Sequence, residues 1–258
     1  MIDWLKSWLA HPLTRGMDLD DPRTTVLRRQ IIRSNPFLQR IYREWYRFIV
    51  ASLPPVAGPV LELGSGAGFL NQYIPGLLTS DLLPVPDLSL MLDAHHLPFA
   101  DQSLRAIVLV NVLHHFADLN RFLTEASRCL KSCGRIIMVE PWVTWWSLLI
   151  YPRLHHEPLD TTVHDWCFPA SGPLSGANMA LPWIAFHRDR LRFDREFPML
   201  TIQWIRPVLP VSYLLSGGVS MRPLMPGWSF PIWRSLENCL QPWSHLFGMF
   251  AELILEHR

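Results

Sequence analysis

The stretch LELGSGAGF, residues 61–69, sets three glycines at alternate positions directly after an apolar run. Glycines in that pattern serve a backbone that turns sharply and is approached closely, so the segment reads as a strand ending at Glu62-Leu63, a tight turn and a helix start on which a ligand lies. A nucleotide is the natural guest. The dinucleotide fingerprint asks for GxGxxG, but Phe69 follows Gly68 and the third glycine comes one residue early, which makes a pyrophosphate cradle the weaker reading.

Around this turn, short apolar runs alternate with helical segments. PVLEL, GLLTSD, LSLMLD, AIVLVN and RIIMVE read as five successive strands. Between the last two, ADLNRFLTEASRCLKSCG predicts a helix with Phe122, Leu123, Ala126, Cys129 and Leu130 inward and Gly134 just past its end. Such alternation predicts an α/β fold with a doubly wound parallel sheet, whose ligands sit at the carboxyl ends of the strands. Upstream, Asp21-Pro22 and Asn35-Pro36 each put a side-chain acceptor at a helix N-cap and a proline at the first helical position. The second of these helices, PFLQRIYREWYRFIVA, has Phe37, Ile41, Trp45, Phe48 and Ile49 on one face and stops at SLPPVAGP.

Composition narrows the partners. Charged residues make up 17% of the 258 and the formal net charge is +1, so the chain lacks the electrostatic footprint of a nucleic-acid binder. Cys129, Cys133, Cys167 and Cys239 form no CxxC pair, which fits a reducing compartment. The start MIDWLKSWLAHPL is too short in apolar residues for a signal peptide, and no apolar run reaches the ~18 residues of a spanning helix; the expectation is a cytoplasmic protein. WVTWWSLLIY, residues 142–151, is expected to be a buried or capping segment, with peripheral contact to a bilayer as the alternative its tryptophans raise.

An acid two residues before GxGxG resembles the first motif of the class I S-adenosylmethionine-dependent methyltransferases. Asp81, at the end of the second strand, stands where that family places the carboxylate binding both ribose hydroxyls. Asp93-Ala94 followed by HHLPFAD is similar to its third-strand motif, whose acid accepts from the adenine amino group. NVLHHF, 111–116, resembles the loop after strand four in the small-molecule, type 11-like branch that includes quinone-biosynthesis C-methyltransferases, and RCLKSCGRIIMVEP resembles the helix, glycine and fifth strand that follow. The likeness covers roughly residues 58–141; Arg105 departs from it, standing where relatives often carry aspartate. It implies S-adenosylmethionine as cofactor, held by Glu62, Gly64, Ser65, Gly66, Gly68, Asp81, Leu82, Asp93, Ala94 and Asn111. It also implies a Rossmann-like sheet of seven strands closed by an antiparallel C-terminal hairpin, for which MFAELILEHR and EFPMLTIQWIRP are the expected strands and PIWRSLENCLQPW the helix between them.

The expected organisation is an N-terminal helical cap (1–53), a cofactor-binding core (54–141), an insertion or lid after strand five (142–190), and the final strands and helix (191–258). The insertion and the N-terminal helices are expected to form the acceptor pocket. His114 and His115 follow strand four and offer a general base, with packing as the competing role. Glu140-Pro141 at the end of strand five offers an acceptor contact, or simply terminates the strand. HHEPLDTTVHDWC presents His155, His156, His164 and Cys167, but no second ligand pair follows HxxC, so polar lid residues are expected there and no metal. The residues after strand four are not the [ND]PP[YFW] turn of the adenine and glutamine N-methyltransferases, which favours O- or C-methylation over methylation of a nucleobase amine, and the aromatic, proline-rich flanks suggest a small apolar, amphipathic or lipid-like acceptor. A cofactor-binding scaffold without turnover and a nicotinamide-dependent oxidoreductase or epimerase remain as alternatives.

Overall fold

The computed structural model describes residues 8–155, 157–168, 172 and 176–258. Seven strands form one sheet: β1 (Val60–Leu63), β2 (Leu78–Asp81), β3 (Leu90–Met91), β4 (Leu104–Val110), β5 (Leu130–Pro141), β6 (Leu200–Val208) and β7 (Phe250–His257), in the order β3-β2-β1-β4-β5-β7-β6. The first five are parallel, and β7 runs antiparallel to both β5 and β6. This is the expected doubly wound Rossmann-like sheet with its C-terminal hairpin.

The central strands are apolar on both faces, which is why they read as continuous runs. Successive side chains of β4 alternate, Ile107 and Leu109 entering one core layer and Ala106 and Val108 the other. The first layer is covered by helix α3 (Leu119–Cys129) through Leu119, Phe122, Leu123 and Ala126. The second is covered by the N-terminal helix α2 (Pro36–Ala51), whose Phe37, Leu38, Ile41, Trp45, Tyr46 and Ile49 are all buried. Helix α1 (Pro22–Ser34) precedes it, and both caps form as expected: Asp21 Oδ1 accepts from Arg23 N at 2.8 Å and Asn35 Oδ1 from Phe37 N and Leu38 N at 3.1 Å.

Three expectations change. No α-helix follows the glycine turn; a single 3₁₀ turn, Leu70–Gln72, bridges to β2 before Pro75-Gly76 cuts it off. The links from β2 to β3 and from β3 to β4 are non-helical as well, so α2 takes the sheet face that a crossover helix after β1 would fill. The helix expected over 117–134 ends at Cys129, because Leu130 already pairs with Leu104 in the sheet; Gly134 therefore lies inside β5 rather than at a helix end. The segment 142–190 divides in two. Its first part forms helix α4 (Trp145–Leu154), while Trp166 and the residues Ala180, Leu181, Ile184, Ala185 and Phe186 are buried in the α3-side core, as no separable lid would be. Helices α5 (Arg190–Glu196), α6 (Val211–Ser216) and α7 (Phe230–Leu240) complete the chain, α7 and β6 lying close to the expected helix and strand.

Candidate functional site

The carboxyl ends of β1, β2, β3 and β4 open into one cavity of about 650 Å³, within the usual range for small-molecule sites. Glu62, Gly64, Ser65, Gly66, Gly68, Asp81, Leu82, Asp93, Ala94, Asn111, His114 and His115 all line it, so every residue expected at the site converges there.

The glycine turn forms its floor. Gly64 has φ +64°, and a methyl on it would meet Val112 Cγ2 at 2.4 Å. A methyl on Gly66 would lie 2.6 Å from Thr25 Cγ2 and 2.7 Å from Asp81 Oδ2. Ser65 welds β1 to β2: its N–H donates to Ser80 O at 2.8 Å, its Oγ accepts from Ser80 N at 3.1 Å, and Ser80 Oγ donates to Glu62 O at 2.7 Å. The N-terminal helices grip the turn from above. Arg29 donates to Gly66 O through Nε at 3.0 Å and Nη2 at 2.7 Å, and the Tyr46 hydroxyl accepts from Phe69 N at 3.0 Å.

Three carboxylates mark successive strand ends. Burial raises the Glu62 carboxyl to about 7, against a hydrogen bond from Ser65 that lowers it, with the Asp81 charge adding to the rise. Asp81 is also raised by burial, although Gly66 N at 3.1 Å and Leu83 N at 3.0 Å donate to it. Asp93 lies lower than usual: burial opposes its ionisation, but the His95 backbone N–H at 2.9 Å and imidazole at 2.6 Å outweigh it. Leu82, beside Asp81, is 50% exposed and offers an apolar shelf at the mouth.

Past β4, Asn111 takes a left-handed turn, φ 57°, and its buried Oδ1 has no hydrogen-bond partner. Glu140, fully buried at the end of β5, accepts from Val112 N at 2.8 Å and Leu113 N at 2.9 Å, and pairs with His114 Nδ1 at 2.8 Å. His114 Nε2 lies 3.4 Å from Glu157 Oε2. Burial acts to lower the His114 pKa, but the hydrogen bonds to Glu140 and Glu157 win and raise it to about 9. His114 is thus an imidazolium at neutral pH, with both nitrogens engaged by carboxylates. His114 and His115 are both expected as candidates for a general base; here the His114 nitrogens face Glu140 and Glu157, and His115 lines the cavity beside it.

Glu140 therefore organises the β4 loop rather than merely ending a strand. Glu157, Arg29, Tyr46 and Ser80 carry no spacing signal and escape a reading of the sequence. Among the described residues, the metal-type donors that gather within 4.8 Å are those of His114, His115 and Glu157, not of His164 and Cys167; His156 lies outside the described residues.

The far side of the cavity is apolar and aromatic. Ile150, Tyr151 and Leu154 come from α4, Met179 from the second part of the insertion, and Tyr213, Leu214, Met249 and Phe250 from the C-terminal third, while Tyr42 of α2 lies 6.1 Å from Phe69 beside the glycine turn. Tyr151 is fixed by donating to Met249 O at 2.7 Å.

Fold and site together resemble those of the Rossmann-like, class I S-adenosylmethionine-dependent methyltransferases. Residues 61–138 match the family model described as a methyltransferase domain. A demethylmenaquinone methyltransferase of Thermobifida fusca is 32% identical over 93 residues, 36% of this chain and 31% of that protein. Its namesake from Thermotoga maritima is 44% identical over 48 residues, 19% of this chain and 21% of that protein. The matched segments thus span a third or less of the curated relatives. Among solved structures, a geranyl diphosphate C-methyltransferase from Streptomyces coelicolor, crystallised with Mg²⁺, geranyl diphosphate and S-adenosyl-L-homocysteine, aligns with TM-score 0.50 and 14% identity over 97% of this chain and 91% of that one. A Thermotoga maritima S-adenosylmethionine-dependent methyltransferase aligns with TM-score 0.51 and 15% identity over 84% of this chain and 89% of that one. The residues present fit S-adenosylmethionine: a floor without side chains, acids at three strand ends, an apolar shelf at Leu82, and the orphaned Asn111 Oδ1 awaiting a donor.

Proposed function

We propose that the protein transfers a methyl group from S-adenosylmethionine to an oxygen or carbon of a small apolar or amphipathic acceptor. The observation that carries this reading is the single cavity whose floor is the glycine turn and whose opposite wall is apolar and aromatic. When bound, the cofactor supplies an electrophilic methyl on a sulfonium. Asp81 would hold the ribose hydroxyls, Asp93 and the Leu82 shelf the adenine, and Glu62 the positively charged end. The Tyr151 and Phe250 side would align the acceptor and exclude water. The names of the curated relatives, which act on demethylmenaquinone, support an apolar acceptor and a carbon or oxygen nucleophile.

Transfer of labelled methyl from S-adenosylmethionine to lipid and quinone-like fractions tests the reaction, and titration with S-adenosylhomocysteine against NAD tests the cofactor. Binding without transfer favours the scaffold alternative; preference for NAD overturns the reading. Asp81→Ala should weaken S-adenosylhomocysteine binding by at least tenfold while the protein stays folded, since each charge-assisted hydrogen bond contributes about 1.5–3 kcal/mol. Equal affinities by calorimetry would remove Asp81 from the site.

We also propose that the acceptor reaches the cavity from a bilayer surface. No helix among the described residues is long and apolar enough to cross a membrane. Yet α4 exposes Trp145, Leu148 and Leu149 beside the exposed Leu246 and Phe247, while its Ile150 and Leu154 line the cavity. Co-sedimentation with phosphatidylcholine and phosphatidylglycerol vesicles should be cut severalfold by Trp145→Ser with Leu148→Ser. Unchanged co-sedimentation, or none in the wild type, would reject the bilayer route.

A further inference from the structure

Arg28 and Arg29 are neighbours on α1, so their side chains leave the helix about 100° apart. Arg29 is fully engaged, with Gly66 O, Pro86 O at 3.1 Å and Asp87 Oδ2 at 3.3 Å. Arg28 lines the cavity, is partly buried, and forms no hydrogen bond or ion pair with any described residue. Its charge instead acts on two phenols of the cavity lining: burial raises both Tyr42 and Tyr213, Tyr213 to about 12, and Arg28 pulls each back down. The guanidinium thus lines the cavity within electrostatic reach of Tyr42 on α2 and Tyr213 on α6, while its neighbours Thr25 and Arg29 meet the glycine turn.

A partly desolvated guanidinium with no carboxylate in reach is unfavourable in an apolar cavity unless a ligand completes it. Its planar donor fork matches a carboxylate or a phosphate. We propose that Arg28 recognises an acidic head group on the acceptor, which makes the substrate an apolar body bearing a carboxylate or phosphate rather than a neutral lipid. The proposal deepens the methyltransferase reading and rests on it for the distinction between acceptor and cofactor sides.

Decanoate, decyl phosphate and decanol share one tail and differ in the head, and their binding to the S-adenosylhomocysteine-loaded protein can be followed by calorimetry. The wild type should bind decanoate or decyl phosphate at least tenfold more tightly than decanol. Arg28→Gln should bring the acidic probes to within about threefold of decanol, Arg28→Lys should restore part of the preference, and S-adenosylhomocysteine affinity and melting temperature should stay at wild-type values in both. A preference for phosphate over carboxylate would identify the head as phosphorylated, and the reverse as a carboxylic acid. No head-group preference in the wild type, or a preference that survives Arg28→Gln, overturns the proposal. A tenfold loss of S-adenosylhomocysteine affinity in Arg28→Gln overturns it too, assigning the residue to the cofactor carboxylate. Failure of the wild type to bind S-adenosylhomocysteine at all would instead strike the methyltransferase reading, and the head-group comparison on the unloaded protein would still decide the role of Arg28.

Discussion

Glu140 and Glu157 hold His114 between them, and that arrangement ties stability to pH. The folded imidazole titrates near 9 against an ordinary 6.5, so its contribution is complete below 6.5 and is lost as pH rises through 9. The size is about 3 kcal/mol at ~1.4 kcal/mol per pKa unit. Glu62 acts in an earlier window: its carboxyl, raised to about 7 from 4.5, makes the free protein less stable as pH climbs between those values, and has no further effect above. Denaturant unfolding at pH 7 and pH 10 should therefore show a loss of a few kcal/mol in the wild type that shrinks in Glu157→Gln. An identical loss in both would place the titrating group elsewhere. Glu62, Asp81 and Asp93 were legible because each follows an apolar run at a strand end, and the chain direction alone brings them to one edge. Glu157 was not, since nothing local distinguishes it from its polar neighbours; only the fold sets it beside His114.

Among elements, the strands were legible and their covering was not. Both faces of β4 and β5 are apolar, so the sequence demands a layer on each side without saying which segment supplies it. The stretch after Gly68 is too short before Pro75-Gly76 to build a helix, and α2, read as part of a cap, becomes that layer. The same holds for Trp166, expected in a lid and found with no exposure in the main core, its Nε1 donating to Asp189 Oδ2 at 3.0 Å under the Arg192 guanidinium at 4.4 Å. Trp166→Ala should cost about 3–5 kcal/mol of stability, the usual range for a large buried aromatic. A cost below about 1 kcal/mol in denaturant unfolding would show this part of 142–190 to be separable after all. The helix over 117–134 was overextended for a related reason: Leu130 has helical spacing, but pairing with Leu104 outweighs it.

At the scale of the molecule, no single stretch of chain owns the cavity. Strand ends and the glycine turn supply its floor, α1 and α2 one flank, α4 and Glu157 another, and residues from Tyr213 to Phe250 the remainder. The class of ligand on the floor follows from a compact run of motifs in residues 61–138, which is why the cofactor was readable in advance. The aromatic wall draws on segments more than a hundred residues apart, so its shape is a property of the packed chain. Aromatic contacts close that distance: Trp45 of α2 lies 5.8 Å from Tyr213 and 5.4 Å from Phe250.

Helix α1 meets this cavity through Thr25 and Arg29 at the glycine turn and through Arg28 on its lining. With the two ligands placed as proposed, this one helix would lie against both, and binding of one would be felt by the other as far as it changes the seating of the helix. Linkage of this kind is reciprocal: the factor by which the first ligand tightens the second is the factor by which the second tightens the first.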